Sequence, residues 1–329
     1  MRYNIHFFII TLLIITSCGT PNSPEDYTGG YKTVYKLTTP GAANDIFIDG
    51  NYAYMAQGEG GLLIVDISQA SKPVIKTMFN TGIRGYSTKI TKKGNTVYLA
   101  AGYFGVSVAN VSDPANPHAR TSNLAIKPSK NVRIFGNYLL SAIGERGFKL
   151  ANLDNPDYPD IRVETNTDGY ARDAITNEAQ TRVMVATGEV GFAIYDISNF
   201  DDGYGTYPKI GSCDLPGIAE HIALNEEKHL AYVACGTAGL AVVDYSDDTH
   251  PKVLNIFDTG GYAKEVLYDA GKVYVTTKQG GLHIINVQQP HNIEELGIID
   301  TEKAMGLAMN NDYIYVADAV EGLIVIAKK

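Results

Sequence analysis

The chain repeats one short pattern seven times, at intervals of 41 to 48 residues. Each copy has a glycine after a short turn and then an apolar run that ends in Asp or Asn, as in GGLLIVDIS at 60–68 and GLAVVDYS at 239–246. The repeated glycines are Gly61, Gly105, Gly147, Gly191, Gly239, Gly281 and Gly322. Because this period is that of a four-stranded propeller blade, the seven copies predict an all-β chain folded as a seven-bladed β-propeller. The composition agrees, since 33 Gly, 22 Tyr and only 19% charged residues suit short strands joined by tight turns.

The first copy predicts how the strands of one blade follow each other. We predict strands over 44–48, 52–56, 62–67 and 74–79, and we name these positions a, b, c and d. Strand c is apolar at consecutive positions because neighbouring blades cover both faces of a blade. The residues that end it in the first six copies are Asp66, Asn110, Asn152, Asp196, Asp244 and Asn286. Since half of these are Asn and all of them precede a turn, we assign them to turn formation rather than to a ring of metal ligands.

The two ends of the chain complement each other. The seventh copy stops after its strand c, at GLIVIAKK, whereas a strand-like segment at 33–38 precedes the first copy. We predict that this segment becomes strand d of the last blade and closes the ring, which leaves no sheet edge exposed.

The N-terminus has the layout of a bacterial lipoprotein signal. Arg2 precedes the apolar run FFIITLLIIT at 7–16, which is shorter than the roughly 20 residues that a membrane-spanning helix needs. The run leads into ITSC at 15–18, which resembles a lipobox, so we expect residues 1–17 to be removed and Cys18 to be acylated. Residues 18–31 are predicted to be a flexible tether, and residues 32–329 the propeller. The expected location is the cell envelope, with a lipid anchor in a membrane, the outer membrane being favoured, and the propeller facing the periplasm or the cell exterior.

Charge and cysteine content narrow the possible partners. Loss of Arg2 leaves 26 basic residues against 36 acidic ones, a net charge of −10, and no basic run occurs, which argues against nucleic acid as a partner.

Cys213 and Cys235 lie in strand-like runs without a CxxC pattern, and the sequence is compatible both with two free thiols and with a disulfide between them. We expect no cofactor, no metal site and a monomeric protein that meets the membrane through its lipid anchor only.

Three copies resemble a known repeat. The segments LLIVDIS at 62–68, FAIYDIS at 192–198 and LAVVDYS at 240–246 are similar to the LVIVD repeat, which occurs in bacterial secreted and surface proteins. The resemblance extends over about residues 32–327. It implies an extracytoplasmic propeller, often a lipoprotein, and it implies no catalytic residues.

Candidate functional residues lie where the copies differ, because positions that repeat serve the scaffold. In propellers the loops that lead into strand a and the b–c turns share one face, and here the starts of the a strands are mostly polar. The candidates for ligand binding are Asp45, Lys89, Lys130, Arg172, Asp173, Glu220, His221, Lys264 and Glu265, together with Tyr103 and Phe104 of a b–c turn. Convergent polar groups at a concave rim are typical of a ligand site, although solvated or mutually paired charges would give the same pattern.

These features favour a binding or scaffold module that engages a protein or glycan partner through one face. The first alternative is a propeller enzyme, a glycan lyase or hydrolase, in which a carboxylate would orient His221 as a general base. No nucleophile elbow, HExxH, P-loop or zinc-cysteine pattern supports catalysis, and we assign no catalytic residue. The second alternative is a subunit of an envelope assembly complex.

Overall fold

The structure, a computed structural model, describes residues 27–123, 125–200, 205 and 207–328. The predicted signal segment, Cys18 and the first part of the tether lie outside these residues. The described residues form 28 strands in seven antiparallel sheets of four, and each sheet is one blade. No helix able to cross a membrane occurs in these ranges.

The strands of each blade follow the order a, b, c, d from the channel outward. Blades 1 to 3 consist of β2 (Asp45–Asp49), β3 (Tyr52–Ala56), β4 (Leu62–Asp66), β5 (Val74–Phe79); β6 (Lys89–Lys93), β7 (Thr96–Ala100), β8 (Val106–Asn110), β9 (His118–Asn123); β10 (Asn131–Phe135), β11 (Tyr138–Ala142), β12 (Phe148–Asn152), β13 (Asp160–Thr165). Blades 4 to 6 consist of β14 (Asp173–Thr176), β15 (Arg182–Ala186), β16 (Phe192–Asp196), β17 (Lys209–Cys213); β18 (His221–Asn225), β19 (Leu230–Ala234), β20 (Leu240–Asp244), β21 (Lys252–Phe257); β22 (Ala263–Asp269), β23 (Lys272–Thr277), β24 (Gly281–Asn286), β25 (Glu294–Ile299). Blade 7 consists of β26 (Ala304–Met309), β27 (Tyr313–Asp318), β28 (Gly322–Ala327) and β1 (Lys32–Leu37).

The N-terminal strand closes the ring, as predicted. β1 pairs with β28 in antiparallel register from Lys32↔Ala327 to Leu37↔Leu323. This pair contains a bulge, and a register shift also occurs in the c–d pair of each of the other six blades. β1 therefore has the geometry of a d strand, although it comes from the opposite end of the chain.

The repeated glycines and the Asp or Asn residues both have the local roles that the sequence predicts. All seven glycines have positive φ, from 73° to 101°. Gly61, Gly147, Gly191, Gly239, Gly281 and Gly322 also lie against strand d; for example, a Cβ on Gly322 would lie 2.3 Å from the carbonyl oxygen of Leu37. In the first six blades the Asp or Asn side chain that ends strand c accepts a hydrogen bond from the backbone N–H two residues later, at 2.6 to 3.1 Å. These residues shape the turn into strand d.

The core is divided among the blade junctions. Seven clusters of buried apolar residues lie between adjacent blades, one at each junction around the ring. At the junction of blades 7 and 1, Tyr315 and Leu323 pack against Met55 and Leu63, and all four are at most 1% exposed. This packing on both faces explains the continuous apolar runs in the c strands.

A short segment ahead of β1 also packs on the propeller. Thr28 bridges Gly297 at the outer edge of blade 6, and Ile298 N–H donates to the carbonyl of Tyr27 at 2.9 Å. Tyr31 is 4% exposed, and its hydroxyl lies 3.0 Å from that of Tyr274. Residues 27–31, which belong to the segment predicted as a tether, therefore pack on the propeller.

Both free cysteines lie near the junction of blades 4 and 5. Cys235 is buried and Cys213 is half-buried, and neither forms a disulfide in the structure. Burial raises the pKa of both thiols, which makes them poor nucleophiles.

Candidate functional site

The a strands surround a central channel whose two ends differ. We call the face with the d–a loops and b–c turns the upper face, and the face with the a–b turns and c–d loops the lower face. One polar or charged residue from each of six a strands points into the channel, and together these residues form a ring just below the upper face. They are Asp45, Lys89, Asn131, Asp173 and His221, each the first residue of its a strand, and Glu265, the third residue of β22, and all are 7% exposed or less.

Blade 7 contributes no side chain to this ring. Its residue Gly306 lies so close to blade 1 that a Cβ there would be 2.7 Å from Oδ1 of Asp45 and 2.8 Å from its Cα. A larger residue at 306 would displace Asp45 from the ring.

One side of the ring is held together by a lysine between two carboxylates. Nζ of Lys89 donates to Glu265 across the channel and lies 3.4 Å from Oδ1 of Asp45. The free oxygens of these carboxylates accept backbone N–H groups, Ile90 at 2.8 Å for Asp45 and Leu307 at 3.5 Å for Glu265. The Lys89 ammonium group thus joins blades 1, 2 and 6.

The other side is held by Arg133, the third residue of its a strand. Its guanidinium contacts both oxygens of Asp173, at 3.0 Å from Nε and 2.6 Å from Nη2. Nη2 also lies 2.9 Å from Nε2 of His221 and 2.9 Å from the carbonyl of Ile222. We call the six ring residues and Arg133 together the channel plug.

Burial in the plug shifts the pKa of two groups in opposite directions. Desolvation, followed by the charges of Arg133 and Lys89, holds the pKa of His221 well below its usual 6.5, so the imidazole is neutral near pH 7. Desolvation raises the pKa of Glu265 even though the nearby Lys89 lowers it, and the charge of Asp45 adds to the rise. The plug thus contains two cations and three carboxylates, one of which protonates more easily than an ordinary glutamate.

Above the plug, the upper face carries a line of cations and aromatic rings. Nζ of Lys130 lies 5.9 Å from the ring centre of Tyr103 and 5.3 Å from that of Tyr170, and the guanidinium of Arg172 lies 5.3 Å from the Tyr170 ring. Further round, Nζ of Lys278 lies 4.0 Å from the ring centre of Tyr262. These distances allow cation–π attraction.

A single buried carboxylate anchors this line of residues. Glu220, 5% exposed, accepts hydrogen bonds from Lys264 at 2.6 Å and from the Tyr262 hydroxyl, and Arg172 lies 3.2 Å away. Burial by itself would raise the pKa of Glu220, but the Lys264 ammonium and these hydrogen bonds outweigh it, so the pKa is lowered and the carboxylate stays ionised.

The line continues to an exposed aromatic patch at blades 1 to 3. Tyr103 is 79% exposed, Tyr86 48% and Phe104 47%, and a Cβ on Gly85 would lie 2.7 Å from the Phe104 ring. We call the whole set the upper arc. Its members are Tyr86, Tyr103, Phe104, Lys130, Tyr170, Arg172, Glu220, Tyr262, Lys264 and Lys278.

The candidates from the sequence therefore fall into two groups. Asp45, Lys89, Asp173, His221 and Glu265 lie in the plug. Lys130, Arg172, Glu220, Lys264, Tyr103 and Phe104 lie in the upper arc.

Sequence reasoning missed Arg133 and three tyrosines of the arc. Tyr86, Tyr170 and Tyr262 each stand three residues before a plug residue, in the segments GYSTK, GYARD and GYAKE. Each ring covers the b–c turn glycine of the preceding blade; for example, a Cβ on Gly58 would lie 2.8 Å from the Tyr86 ring. The recurrence of Gly-Tyr before strand a was the signal that could have found them.

The fold and its repeats define this protein as a seven-bladed β-propeller, an architecture used for binding and scaffolding. The LVIVD repeat family matches residues 40–81, 216–259 and 302–326, which lie in blades 1, 5 and 7. The protein is therefore a β-propeller with LVIVD repeats. No curated protein matches the sequence.

Among the solved structures that share the fold are a designed protein and a WD40 domain. The computationally designed Ika8 protein is 10% identical with a TM-score of 0.66, covering 90% of this chain and 99% of that one. The WD40 β-propeller domain of Doa1 is 9% identical with a TM-score of 0.70, covering 91% of this chain and 97% of that one. At this level of identity the likeness concerns the fold alone.

Proposed function

We propose that this protein is an extracytoplasmic, lipid-anchored binding module that holds a protein partner through its upper arc. The observation that carries the proposal is the exposed aromatic patch of Tyr86, Tyr103 and Phe104 next to Lys130 and Arg172. Tyrosine and arginine are enriched among the residues that contribute most to protein interfaces.

The arc is suited to binding because its supports are fixed before a partner arrives. Arg172 and Lys264 are both held by the buried Glu220, and Lys130 is held between two tyrosine rings. Side chains that are already ordered lose less conformational entropy on binding, which raises affinity for a given contact area.

The contacts of His221 favour binding over glycan hydrolysis or cleavage. Its Nε2 faces Arg133 at 2.9 Å and its Nδ1 lies 3.4 Å from the backbone N–H of Val266. At 7% exposure it is beneath the upper arc rather than on it. A general base must reach the proton that it removes, and both ring nitrogens of His221 already face protein groups, Arg133 and the Val266 backbone.

Cross-linking in the envelope of the source cell tests the proposed face. A photoreactive residue in place of Tyr103 should give one discrete cross-linked adduct, and R172A in the same protein should weaken that adduct. The matched position is Tyr158, which is 61% exposed in a c–d loop of the lower face. Equal adducts at both positions, or none at Tyr103, would contradict the proposal, and an adduct with glycan would change the partner class.

The anchor is tested separately because Cys18 lies outside the described residues. Several acyl chains bind a membrane firmly, whereas one chain gives only marginal anchoring. C18A should abolish incorporation of labelled fatty acid and release the protein from the membrane fraction. Continued labelling of this variant would refute the lipid anchor.

A further inference from the structure

The lower end of the channel contains a cavity that the sequence analysis did not assign. It has a volume of about 700 Å³ and extends from the channel plug to the a–b turns of blades 3, 4 and 5. This volume lies in the range of roughly 300 to 1,000 Å³ that small-molecule sites occupy. We call it the lower cavity.

The walls of the lower cavity combine apolar and polar side chains. Residues two positions after the plug residues line it, because side chains two apart in a strand point the same way, and they include Phe47, Ile175 and Leu267 as well as Thr91 and Arg133. Phe47, Ile175 and Leu267 are half-buried there, so part of each remains in contact with solvent. An apolar group that covered these three side chains would remove that surface from water, which is favourable.

Among the residues that the structure describes, none leaves an unpaired positive charge on the floor of the lower cavity. Lys89 is held by Glu265 and Asp45, and Arg133 by both oxygens of Asp173. With three carboxylates against two cations and a neutral His221, the floor carries an excess of one negative charge when Glu265 is ionised. It therefore repels an anionic ligand rather than attracting one.

The mouth adds further negative charge on one side. Glu178 and Glu226 line it, the backbone N–H of Glu178 donates to Oε1 of Glu226 at 2.6 Å, and within the described ranges neither carboxylate forms an ion pair. Partial burial, and the proximity of Glu178, raises the pKa of Glu226. The third cation in the lining, Lys92, is paired with Asp49 at 2.5 Å.

We propose that the lower cavity binds a small amphipathic cation, a molecule in which a protonated amine is attached to a short apolar group. The apolar group lies against Phe47, Ile175 and Leu267, and the ammonium faces Glu178 and Glu226 at the mouth. This site is separate from the upper arc, since the plug lies between them, and it does not depend on the protein partner.

Three probes of equal length and different charge test the proposal. Hexylammonium, hexanol and hexanoate are titrated at pH 7.5 into the full propeller, with amide chemical shifts followed by NMR. We expect the affinity to fall in the order hexylammonium, hexanol, hexanoate, with shifts in the a strands next to the cavity. Equal affinities, tighter binding of hexanoate, or no shift of cavity residues by hexylammonium would each overturn the proposal.

Substitutions at the mouth separate the charge from the apolar wall. E178Q and E226Q should each weaken hexylammonium binding, by up to about fivefold for a partly exposed charge pair, and leave hexanol binding unchanged. The control is E189Q, an exposed glutamate in a b–c turn of the upper face. If the two mouth variants and the control behave alike, the ammonium does not sit where we propose. A223F, which fills the cavity from its wall, should weaken binding of all three probes.

Discussion

The two ends of the central channel are built from the same seven strands and yet present different chemistry. At the upper end the plug residues are charged or polar and close the channel through contacts between blades. Two residues after three of them, Phe47, Ile175 and Leu267 add apolar side chains to the wall of the lower end. Because a strand repeats its side-chain direction every second residue, one strand can place both kinds of residue in the channel.

This difference shows how one propeller can offer two independent sites. The plug separates them, so a partner on the upper arc and a small ligand in the lower cavity need not compete. Variants that weaken one end and leave the other unchanged would support this view, and the predictions below test it from the largest expected effect to the smallest.

Opening the ring should damage both ends at once. A variant that begins at Gly41 lacks β1, and with it the pairing to β28 and the packing of Val34, Tyr35 and Leu37 against the cluster between blades 7 and 1. Each lost backbone hydrogen bond costs about 0.5 to 1.5 kcal/mol and each apolar side chain up to about 1.5 to 3 kcal/mol. The sum is comparable to a typical total stability of about 5 to 15 kcal/mol. Thermal unfolding should show a much lower Tm or aggregation through the open edge.

A shorter deletion is the control for this experiment. A variant that begins at Tyr27 keeps β1 and the contacts of residues 27–31 with blade 6. Its Tm should equal that of the full chain. If the variant that begins at Gly41 is equally stable, β1 does not close the ring in solution.

Removing one carboxylate of the plug should be the next largest effect. Asp173 is fully buried and holds Arg133, and it also accepts the N–H of Ile222 at 2.9 Å. D173A leaves the half-buried guanidinium of Arg133 without its carboxylate and the backbone N–H of Ile222 without its acceptor. Breaking a buried ion pair typically costs about 3 to 5 kcal/mol, and we expect a loss near the lower end of this range. Urea unfolding measures the loss. E189A, at an exposed b–c turn position, is the control and should change stability by no more than about 0.5 kcal/mol. Equal losses in the two variants would mean that the plug contributes little to stability.

The sequence predicted the scaffold better than either end of the channel. The period, the positive-φ glycines and the Asp or Asn turns each repeat seven or six times, and their local causes act within a few residues, so one chain was enough to recognise them. Closure by β1 could also be predicted, because the last copy visibly lacks its d strand.

The two sites were harder to predict because they depend on which side chains meet across the ring. Lys89 and Glu265 are 176 residues apart, and nothing local indicates their contact. Phe47 and Leu267 look like ordinary core residues in a strand, so the lower cavity left no sign in the sequence. Arg133 was missed because only the starts of the a strands were considered.

The plug should make the free energy of unfolding depend on pH, with Glu265 and His221 acting in opposite directions. The raised pKa of Glu265, about 7 against a usual 4.5, contributes stability that is fully present below pH 4.5 and is lost as the pH rises through 7. The lowered pKa of His221 contributes stability that is present above pH 6.5 and is lost as the pH falls.

A variant without Glu265 should make the histidine contribution visible. In E265Q the effect that opposes His221 within the plug is absent, so stability should fall more steeply from pH 7 to pH 5 than in the parent, by on the order of 1 kcal/mol. Urea unfolding at pH 7, 6 and 5 measures both slopes. Parallel pH profiles for variant and parent would show that Glu265 has an ordinary pKa in the folded protein.

The smallest effect on stability is expected at the upper arc, where binding should change most. Tyr103 is 79% exposed, and Nζ of Lys130 lies 5.9 Å from the centre of its ring, within the range of a cation–π interaction. Y103A and K130A should therefore each change the free energy of unfolding by about 0.5 kcal/mol or less, as is usual for surface substitutions. Each could nevertheless weaken partner binding by about 2 kcal/mol or more, because a few residues carry most of the free energy of an interface.

Matched substitutions on the lower face make this last prediction specific to one end of the molecule. Y158A removes an aromatic ring that is 61% exposed, and K72A removes an exposed lysine, both in c–d loops. The upper pair should reduce recovery of the cross-linked partner, whereas the lower pair should not, and neither pair should alter hexylammonium binding in the lower cavity. Tyr103, Tyr158 and Lys72 are exposed and Lys130 is half-buried. Because the two pairs have the same residue types, unequal effects would reflect position rather than composition. Loss of the partner with the lower pair alone would place the protein-binding surface on the lower face, next to the cavity rather than across the plug from it.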